Sequence, residues 1–273
     1  MAEEAQTNAA ERRRWKDEYW ASVWPKREQL TNVVTGLLLG HLGLIEGEKV
    51  LDVGSGGGTT TVAAGRLVGD RGSVVGADIS APLVNSAHQR ALNQRAANVS
   101  FLVADVQHDK IPGAPFDAAM SQFGVMFFDQ PDTAFTNIRR HLVPGGRLGF
   151  ACWQSVEKNR WFVGPALARF VPSPPSPAPG KSPTGPFSLG DPRRVVDVLA
   201  SSGWTGVEHE PHDLVVNVDR EALFDDDQLT FLGVPPPSFD DARRAVDNHL
   251  ERLTGSDGRI QAPLAFQIFT AIA

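Results

Sequence analysis

The stretch Val50-Leu-Asp-Val-Gly-Ser-Gly-Gly-Gly58 decides the fold that we predict for this chain. It overlaps the apolar run of a buried β-strand at Lys49–Val53, and Gly54, Gly56 and Gly58 follow at alternate positions. Glycine lets the backbone turn sharply and lets a ligand approach it closely. The helix that starts after the turn has free N–H groups in its first turn. The stretch therefore predicts a strand, a tight turn and a helix that together can bind a ligand.

Strands and helices alternate along the chain from this point. Apolar runs predict strands at Lys49–Val53, Ser73–Ala77, Val99–Ala104, Phe116–Gln122 and Arg147–Trp153. Helical periodicity lies between them, and Ser80 is placed to cap one of these helices. Further on, Val207–Val218 predicts one or two strands and Leu264–Ile272 a final buried strand. The alternation is typical of an α/β fold, a doubly wound and mostly parallel sheet with helices on both faces.

Three acidic residues lie at or near the ends of the first three predicted strands: Asp52, Asp78 and Asp105. The carboxyl ends of adjacent parallel strands meet at one edge, where open α/β sheets bind their ligands. Asp52 can hold an ammonium group directly or indirectly, and Asp78 can accept hydrogen bonds from both hydroxyls of a ribose. Asp105 can accept one from an adenine amino group. Each acid alone is explained equally well as a cap, but the three together are hard to explain in that way.

These segments resemble those of the class I S-adenosylmethionine-dependent methyltransferases, within the broad group similar to ubiquinone/menaquinone C-methyltransferases. The segments that carry the resemblance are Val50–Gly58, Gly76–Ser80, Val103–Val106, Phe116–Phe123 and Leu142–Leu148. The resemblance covers residues 30–153 well and continues more loosely to the end of the chain. It implies a seven-stranded sheet whose last strand is reversed and inserted by a hairpin, together with an α-helical lid.

The resemblance also implies S-adenosylmethionine as the cofactor and names the residues that would bind it. The glycines of the turn would surround its amino-acid part, Asp78 would hold the ribose, and Ile79, Asp105 and Val106 would contact the adenine. Ser121 and Gln122 would face the methionine portion. The complete predicted set is Asp52, Gly54, Ser55, Gly56, Gly58, Asp78, Ile79, Asp105, Val106, Ser121 and Gln122.

The chain divides into three predicted parts. Residues 1–29 form an N-terminal helical lid, in which a helix starts at Glu11 and Pro25 is expected to break it. Residues 30–153 form the cofactor-binding core. Residues 154–273 complete the same domain with a proline-rich lid loop at 172–186, the last two strands and a helical insertion at 219–258.

Aromatic side chains around the predicted site favour a small hydrophobic or aromatic methyl acceptor. The predicted substrate contacts are Tyr19, Trp24, Phe123, Phe127 and Trp153. A sulfonium methyl group is already activated, so alignment in a dry pocket supports in-line displacement without a dedicated base. No residue is assigned as the catalytic base, and no metal site is expected, because neither a cysteine cluster nor a convincing acidic trio is present. Whether carbon, oxygen or nitrogen is methylated stays open.

Composition limits the partners. The formal net charge is −6 and no long basic run offsets it, so neither nucleic acid nor an anionic membrane is an expected partner. Cys152 is the single cysteine, so no disulfide can form within the chain. No apolar run resembles a signal peptide or a membrane span, which predicts a cytoplasmic protein. The aromatic N-terminal helix can serve as a lid or as the contact of a homodimer.

Two other functions compete with methyl transfer. Dinucleotide-dependent oxidoreductases use a similar glycine turn, but they favour Gly-x-Gly-x-x-Gly, whereas the glycines here alternate. A non-catalytic module that binds S-adenosylmethionine is the second alternative, because no catalytic base is evident. Titration with NADH discriminates the first, and cofactor binding without turnover would support the second.

Overall fold

The computed structural model describes residues 8–171 and 184–273. Its centre is a seven-stranded sheet of spatial order β3-β2-β1-β4-β5-β7-β6. The strands are β1 (Lys49–Val53), β2 (Ser73–Asp78), β3 (Val99–Val103), β4 (Phe116–Gln122), β5 (Leu142–Trp153), β6 (Thr205–Val218) and β7 (Ile260–Ile272). The first five strands pair in parallel. β7 runs antiparallel to β5 and β6 and lies between them. The predicted α/β sheet with a reversed last strand is thus confirmed.

Helices cover both faces of the sheet. In the described part of the chain they are α1 (Ala9–Trp15), α2 (Glu18–Leu42), α3 (Thr59–Val68), α4 (Ala81–Asn93), α5 (Pro131–Arg140), α6 (Gly164–Leu167), α7 (Pro192–Ser201), α8 (Asp227–Phe231) and α9 (Phe239–Glu251). Ser80 caps α4 and Asp191 caps α7 through bonds from backbone N–H groups. Residues 219–258, expected as a helical insertion, contain α8 and α9. None of the described helices is long and apolar enough to cross a membrane.

The N-terminal helices differ from the prediction in two respects. The helix expected from Glu11 is interrupted after Trp15, and Asp17 caps a new helix by accepting a bond from the Tyr19 N–H. That helix, α2, is 25 residues long and continues through Pro25, so the predicted break is wrong. Buried residues hold α2 against the protein on both sides of Pro25, and tertiary packing outweighs the local cost of the proline.

Most of the predicted lid loop at 172–186 lies outside the described residues, which resume at Thr184. The described flank at 184–186 approaches residues 8–16, here called the N-terminal arm, where the Thr184 hydroxyl donates to Glu11 Oε1 at 2.8 Å.

A buried carboxylate lies below the glycine turn. Asp52 near the end of β1 is 1% exposed, and its Oδ2 accepts a hydrogen bond from the Thr61 hydroxyl of α3 at 2.6 Å. Its Oδ1 has no partner in the described structure. Desolvation by burial raises the pKa of Asp52 to about 7; the Thr61 bond lowers it and the nearby Asp78 charge raises it further. Asp52 therefore connects the turn to α3, and its burial stabilises the protonated form of the carboxyl group.

We expect Asp52→Asn to change how stability depends on pH. Because the folded-state pKa is raised, stabilisation by protonated Asp52 is complete below its ordinary pKa of 3.8 and is lost as the pH rises towards 7. Between pH 4 and pH 7 the wild-type protein should lose on the order of 4 kcal/mol relative to Asp52→Asn, at about 1.4 kcal/mol per unit of pKa shift. Urea unfolding across this range measures the difference. The exposed control Asp70→Asn should follow the wild type, and parallel wild-type and Asp52→Asn profiles would contradict the assignment.

The proline inside the continuous helix α2 leads to a second prediction, which concerns the stability of the protein. Pro25 is exposed within the helix, lacks the N–H that would complete the i→i−4 ladder, and crowds the preceding turn. Pro25→Ala should therefore raise the free energy of unfolding by roughly 1–3 kcal/mol. Thermal and urea unfolding measure the gain, with the exposed neighbour Lys26→Ala as control. A loss of stability would mean that the proline shapes α2 for its contacts over the cavity.

Candidate functional site

A cavity of about 320 Å³ opens at the carboxyl ends of the central strands. Its floor includes the turn after β1 and the ends of β2, β3 and β4, and its roof comes from α1, α2 and the segments after β5. This is the edge at which open α/β sheets bind ligands, and the volume is within the usual range for a small-molecule pocket.

The glycine turn is shaped by the protein packed against it. Gly54 and Gly56 have φ angles of +68° and +52°, which other residues rarely adopt. A Cβ on Gly54 would lie 2.8 Å from the Cα of Gly124 after β4, and one on Gly56 would lie 2.7 Å from Cζ2 of Trp24. The space beside Gly54 is thus occupied by the loop after β4, and the space beside Gly56 by the indole ring of Trp24 on α2.

Asp78 at the end of β2 organises the turn. Its Oδ2 accepts the Gly56 N–H at 2.8 Å, and its Oδ1 accepts the Ser80 N–H at 2.8 Å. Burial raises the pKa of Asp78, while these backbone bonds oppose that effect. A carboxylate offers about four acceptor positions, so it can still accept donors from the cavity that it lines.

Asp105 after β3 is bound to the N-terminal arm. Asn8 donates through Nδ2 to both carboxylate oxygens at 2.9 and 3.1 Å, and Arg12 donates to Oδ2 at 3.2 Å. Asn8 also exchanges backbone and side-chain bonds with Asp129 at 3.1 and 3.2 Å. The arm therefore supplies donors to the carboxylate that the sequence assigns to an adenine amino group.

The predicted cofactor residues divide into two groups. Eight line the cavity: Gly54, Ser55, Gly56, Asp78, Ile79, Asp105, Val106 and Gln122. Three do not: Asp52, Gly58 and Ser121. Asp52 lies behind the turn, and a Cβ on Gly58 would meet Ala87 and Phe101 at 2.9 Å, so this glycine serves helix–sheet packing. The Ser121 hydroxyl donates to the Val53 carbonyl at 2.7 Å and accepts the Gly124 N–H.

Four of the five predicted substrate contacts form an aromatic wall of the cavity: Trp24, Phe123, Phe127 and Trp153. The Phe123 and Trp153 rings stack with centroids 4.0 Å apart, and Phe123 adopts a φ of +62°, a strained conformation of the kind found at functional sites. Tyr19 does not line the cavity. Its ring stacks on Phe231, and its hydroxyl lies 3.3 Å from Asp225 Oδ2.

Several residues that line the cavity were not predicted from the sequence. Trp15, Trp20 and Glu28 from the N-terminal helices line it, as do Trp161 and Phe162 after β5. The four-residue spacing of the tryptophans on α2 was a usable signal for Trp20. Glu28 gave no signal, because its partners are distant in sequence: the Thr59 hydroxyl donates to it at 2.6 Å and the Arg90 guanidinium at 2.5 Å.

The polar groups of the cavity wall are largely engaged with the protein. The lining carboxylates are Glu11, Glu28, Asp78 and Asp105, and each accepts hydrogen bonds from the chain itself. Among the described residues, no histidine or tyrosine lines the cavity. Ser55 Oγ is different, because it is buried without a partner at the glycine turn. The cavity is suited to binding and alignment more than to proton abstraction.

Comparisons with known proteins agree with this geometry. A methyltransferase-domain family model matches residues 50–146. The chain is 36% identical over 107 residues to the ubiquinone/menaquinone biosynthesis C-methyltransferase of Cellvibrio japonicus. The aligned residues cover 39% of this chain and 43% of that protein. It is 32% identical over 106 residues to the aklanonic acid methyltransferase of Streptomyces sp. strain C5. This alignment covers 39% of this chain and 48% of that protein. The match thus spans about half the length of these relatives.

Structural similarity extends over more of the chain. A methyltransferase from Aquifex aeolicus, described as S-adenosylmethionine-dependent, superposes with a TM-score of 0.51 at 17% identity. The superposition covers 88% of this chain and 89% of that one. At this identity the likeness establishes the fold. The sequence match makes the central segment, residues 50–146, similar to the methyltransferase-domain family.

Proposed function

We propose that this protein transfers the methyl group of S-adenosylmethionine to a small hydrophobic or aromatic molecule by in-line displacement. The observation that carries the proposal is the convergence of the glycine turn, Asp78, Asp105 and an aromatic wall on one cavity. One relative is named as an aklanonic acid methyltransferase and the other as a ubiquinone/menaquinone biosynthesis C-methyltransferase, and both names support an organic molecule as the substrate.

The residues present fit the cofactor. Asp78 has acceptor capacity for ribose hydroxyls, and Ile79 and Val106 line the cavity with Asp105, where they would offer apolar contacts to an adenine. The unpartnered Ser55 Oγ at the turn has an unused hydrogen-bonding capacity that the amino-acid part of a ligand would satisfy. Asp52 would act through the turn and Thr61, and Ser121 would act by fixing the loop after β4. When bound, S-adenosylmethionine would supply a methyl group on an electrophilic sulfonium.

The chain's own contribution is alignment and exclusion of water. The stacked Phe123 and Trp153 rings offer a flat apolar surface for an aromatic acceptor. Tryptophan faces also attract cations, so Trp15, Trp20 and Trp24 favour a positively charged group in the cavity. Reacting groups held in a dry, fixed arrangement gain much of the rate without a general base. This accounts for a wall without histidine in the described structure.

The two competing functions are less favoured. An NAD-dependent oxidoreductase is not supported by the methyltransferase-domain match or by the alternating glycines. A non-catalytic binding module leaves the aromatic wall beside the site without a role. The inward-facing tryptophans of α1 and α2 also support the lid over the homodimer contact, since all three line the cavity.

Calorimetric titration with S-adenosylmethionine, S-adenosylhomocysteine and NADH tests the cofactor assignment. We expect micromolar binding of the first two, no binding of NADH, and a weakening of S-adenosylhomocysteine binding by about 10- to 100-fold in Asp78→Asn. The amide keeps the shape of the side chain but loses the charge and one acceptor oxygen.

The exposed Asp70→Asn is the matched control and should bind like the wild type. A melting temperature for each variant separates lost binding from a disturbed turn, because Asp78 also holds two backbone N–H groups. Binding of NADH alone would overturn the proposed function. Unchanged affinity in a folded Asp78→Asn would show that the ribose site is elsewhere.

Removal of residues 1–16 tests the N-terminal lid. The deletion takes away Asn8 and α1. Asn8 and Arg12 donate hydrogen bonds to Asp105, and Trp15 packs on Phe127 with ring centroids 5.1 Å apart. We expect S-adenosylhomocysteine to dissociate at least tenfold faster, as measured by stopped-flow fluorescence, while the core stays folded.

The exposed Arg13→Ala in the full chain is the control for the deletion and should dissociate at the wild-type rate. Slower dissociation from the truncated protein would have the opposite meaning: the arm would compete with the cofactor for Asp105, in place of covering it.

A further inference from the structure

A second cluster of ligand-type side chains lies outside the cavity, where α2 meets the edge strand β6. His41 is in the last turn of α2, and Glu210 and His212 are two residues apart on β6. Residues at i and i+2 of a strand project from the same face, so both strand residues face the helix. His41 Nε2 lies 2.9 Å from Glu210 Oε2, and His212 Nε2 lies 3.7 Å from Glu210 Oε1.

The surroundings of His41 determine where its ring proton lies. Its Nδ1 is 2.8 Å from the Leu37 carbonyl oxygen, which can only accept, so Nδ1 carries the hydrogen. In the neutral ring Nε2 is then an unprotonated acceptor that points at the carboxylate of Glu210. Two acceptors at 2.9 Å require a cation between them, either a proton or a metal ion. Metal-binding histidines commonly donate their other N–H to a backbone carbonyl in this way.

The surroundings of His212 distinguish between a proton and a metal ion at this place. Its ring stacks on Phe266 with centroids 5.0 Å apart and an interplanar angle of 16°, which fixes its orientation. Its Nε2 is buried and has no hydrogen-bond partner. A proton shared by His41 and Glu210 would leave this nitrogen unsatisfied, and an unsatisfied buried polar atom costs stability. A metal ion held by all three side chains would satisfy it.

We propose that His41, Glu210 and His212 form a binding site for one divalent transition-metal ion, with Zn²⁺ the best match. Nitrogen and carboxylate ligands at about 2.0–2.1 Å in a tetrahedron lie about 3.3 Å apart. The two nitrogen–oxygen separations, which involve different oxygens of Glu210, are 2.9 and 3.7 Å and lie on either side of that value. All three ligand atoms lie within 4.8 Å of one another. Water would complete the tetrahedron. Such a site would depart from the expectation from sequence that the chain has no metal site, and it does not depend on the proposed function.

The site would join two elements that are distant in sequence. α2 covers the sheet and its N-terminal half lines the cavity, whereas β6 is the outermost strand beside β7. A metal ion at His41 would fasten the C-terminal end of α2 to this edge. Its role would therefore be structural, and its loading would be read out as stability.

Titration of the full chain with Co²⁺ and Zn²⁺ tests the site. The protein is freed of any affinity tag, treated with chelator and titrated at pH 7.5, with Co²⁺ followed by its visible absorption and Zn²⁺ by calorimetry. We expect one ion per chain, micromolar or tighter affinity and a higher melting temperature with Zn²⁺. His41→Gln, Glu210→Gln and His212→Gln should each weaken binding at least tenfold and abolish the thermal shift.

The matched control is His88→Gln, which removes an exposed histidine from α4 and should bind the metal like the wild type. Circular dichroism checks that each variant is folded, and the partly exposed His41→Gln remains informative if His212→Gln is unstable. A wild-type protein that binds neither ion would overturn the proposal, as would equal affinity in all three variants. Either result would leave a proton-bridged pair of His41 and Glu210.

Discussion

The bonds that hold the glycine turn to β2 are the constraint on which the site depends. The N–H groups of Gly54 and Ser55 both donate to the Ala77 carbonyl, at 2.8 and 3.2 Å, and that of Gly56 donates to Asp78. Three successive donors thus bind the turn to one neighbouring strand. They direct the backbone towards the cavity, and they hold the Asp78 carboxylate at the edge where a ligand can reach it.

The long helix α2 links the site to the rest of the molecule. Its N-terminal half carries Trp20, Trp24 and Glu28 over the cavity, and its middle is anchored in the core by Val34 and Leu38, each fully buried. Its last turn brings a histidine to β6. One continuous helix thus contributes to the cavity, to the core and to the edge of the sheet.

The character of the cavity explains which chemistry suits it. Aromatic rings dominate one wall, and the carboxylates of the other are already bonded to the protein, so the charges there are fixed before a ligand arrives. A preorganised site of this kind needs little rearrangement during a reaction. It favours a reaction whose leaving group is already activated, and methyl transfer from a sulfonium is such a reaction.

The sequence by itself determined the five parallel strands, the glycine turn and the acids at the strand ends, because apolar periodicity and turn residues are local signals. Only the tertiary structure decided that α2 runs through Pro25, that Asn8 and Arg12 reach Asp105, and that His41 meets Glu210. These partners are 97, 93 and 169 residues apart. No local pattern encodes such separations, since they arise when helices and strands pack to bury apolar surface, and the same burial offsets the cost of a proline within a helix.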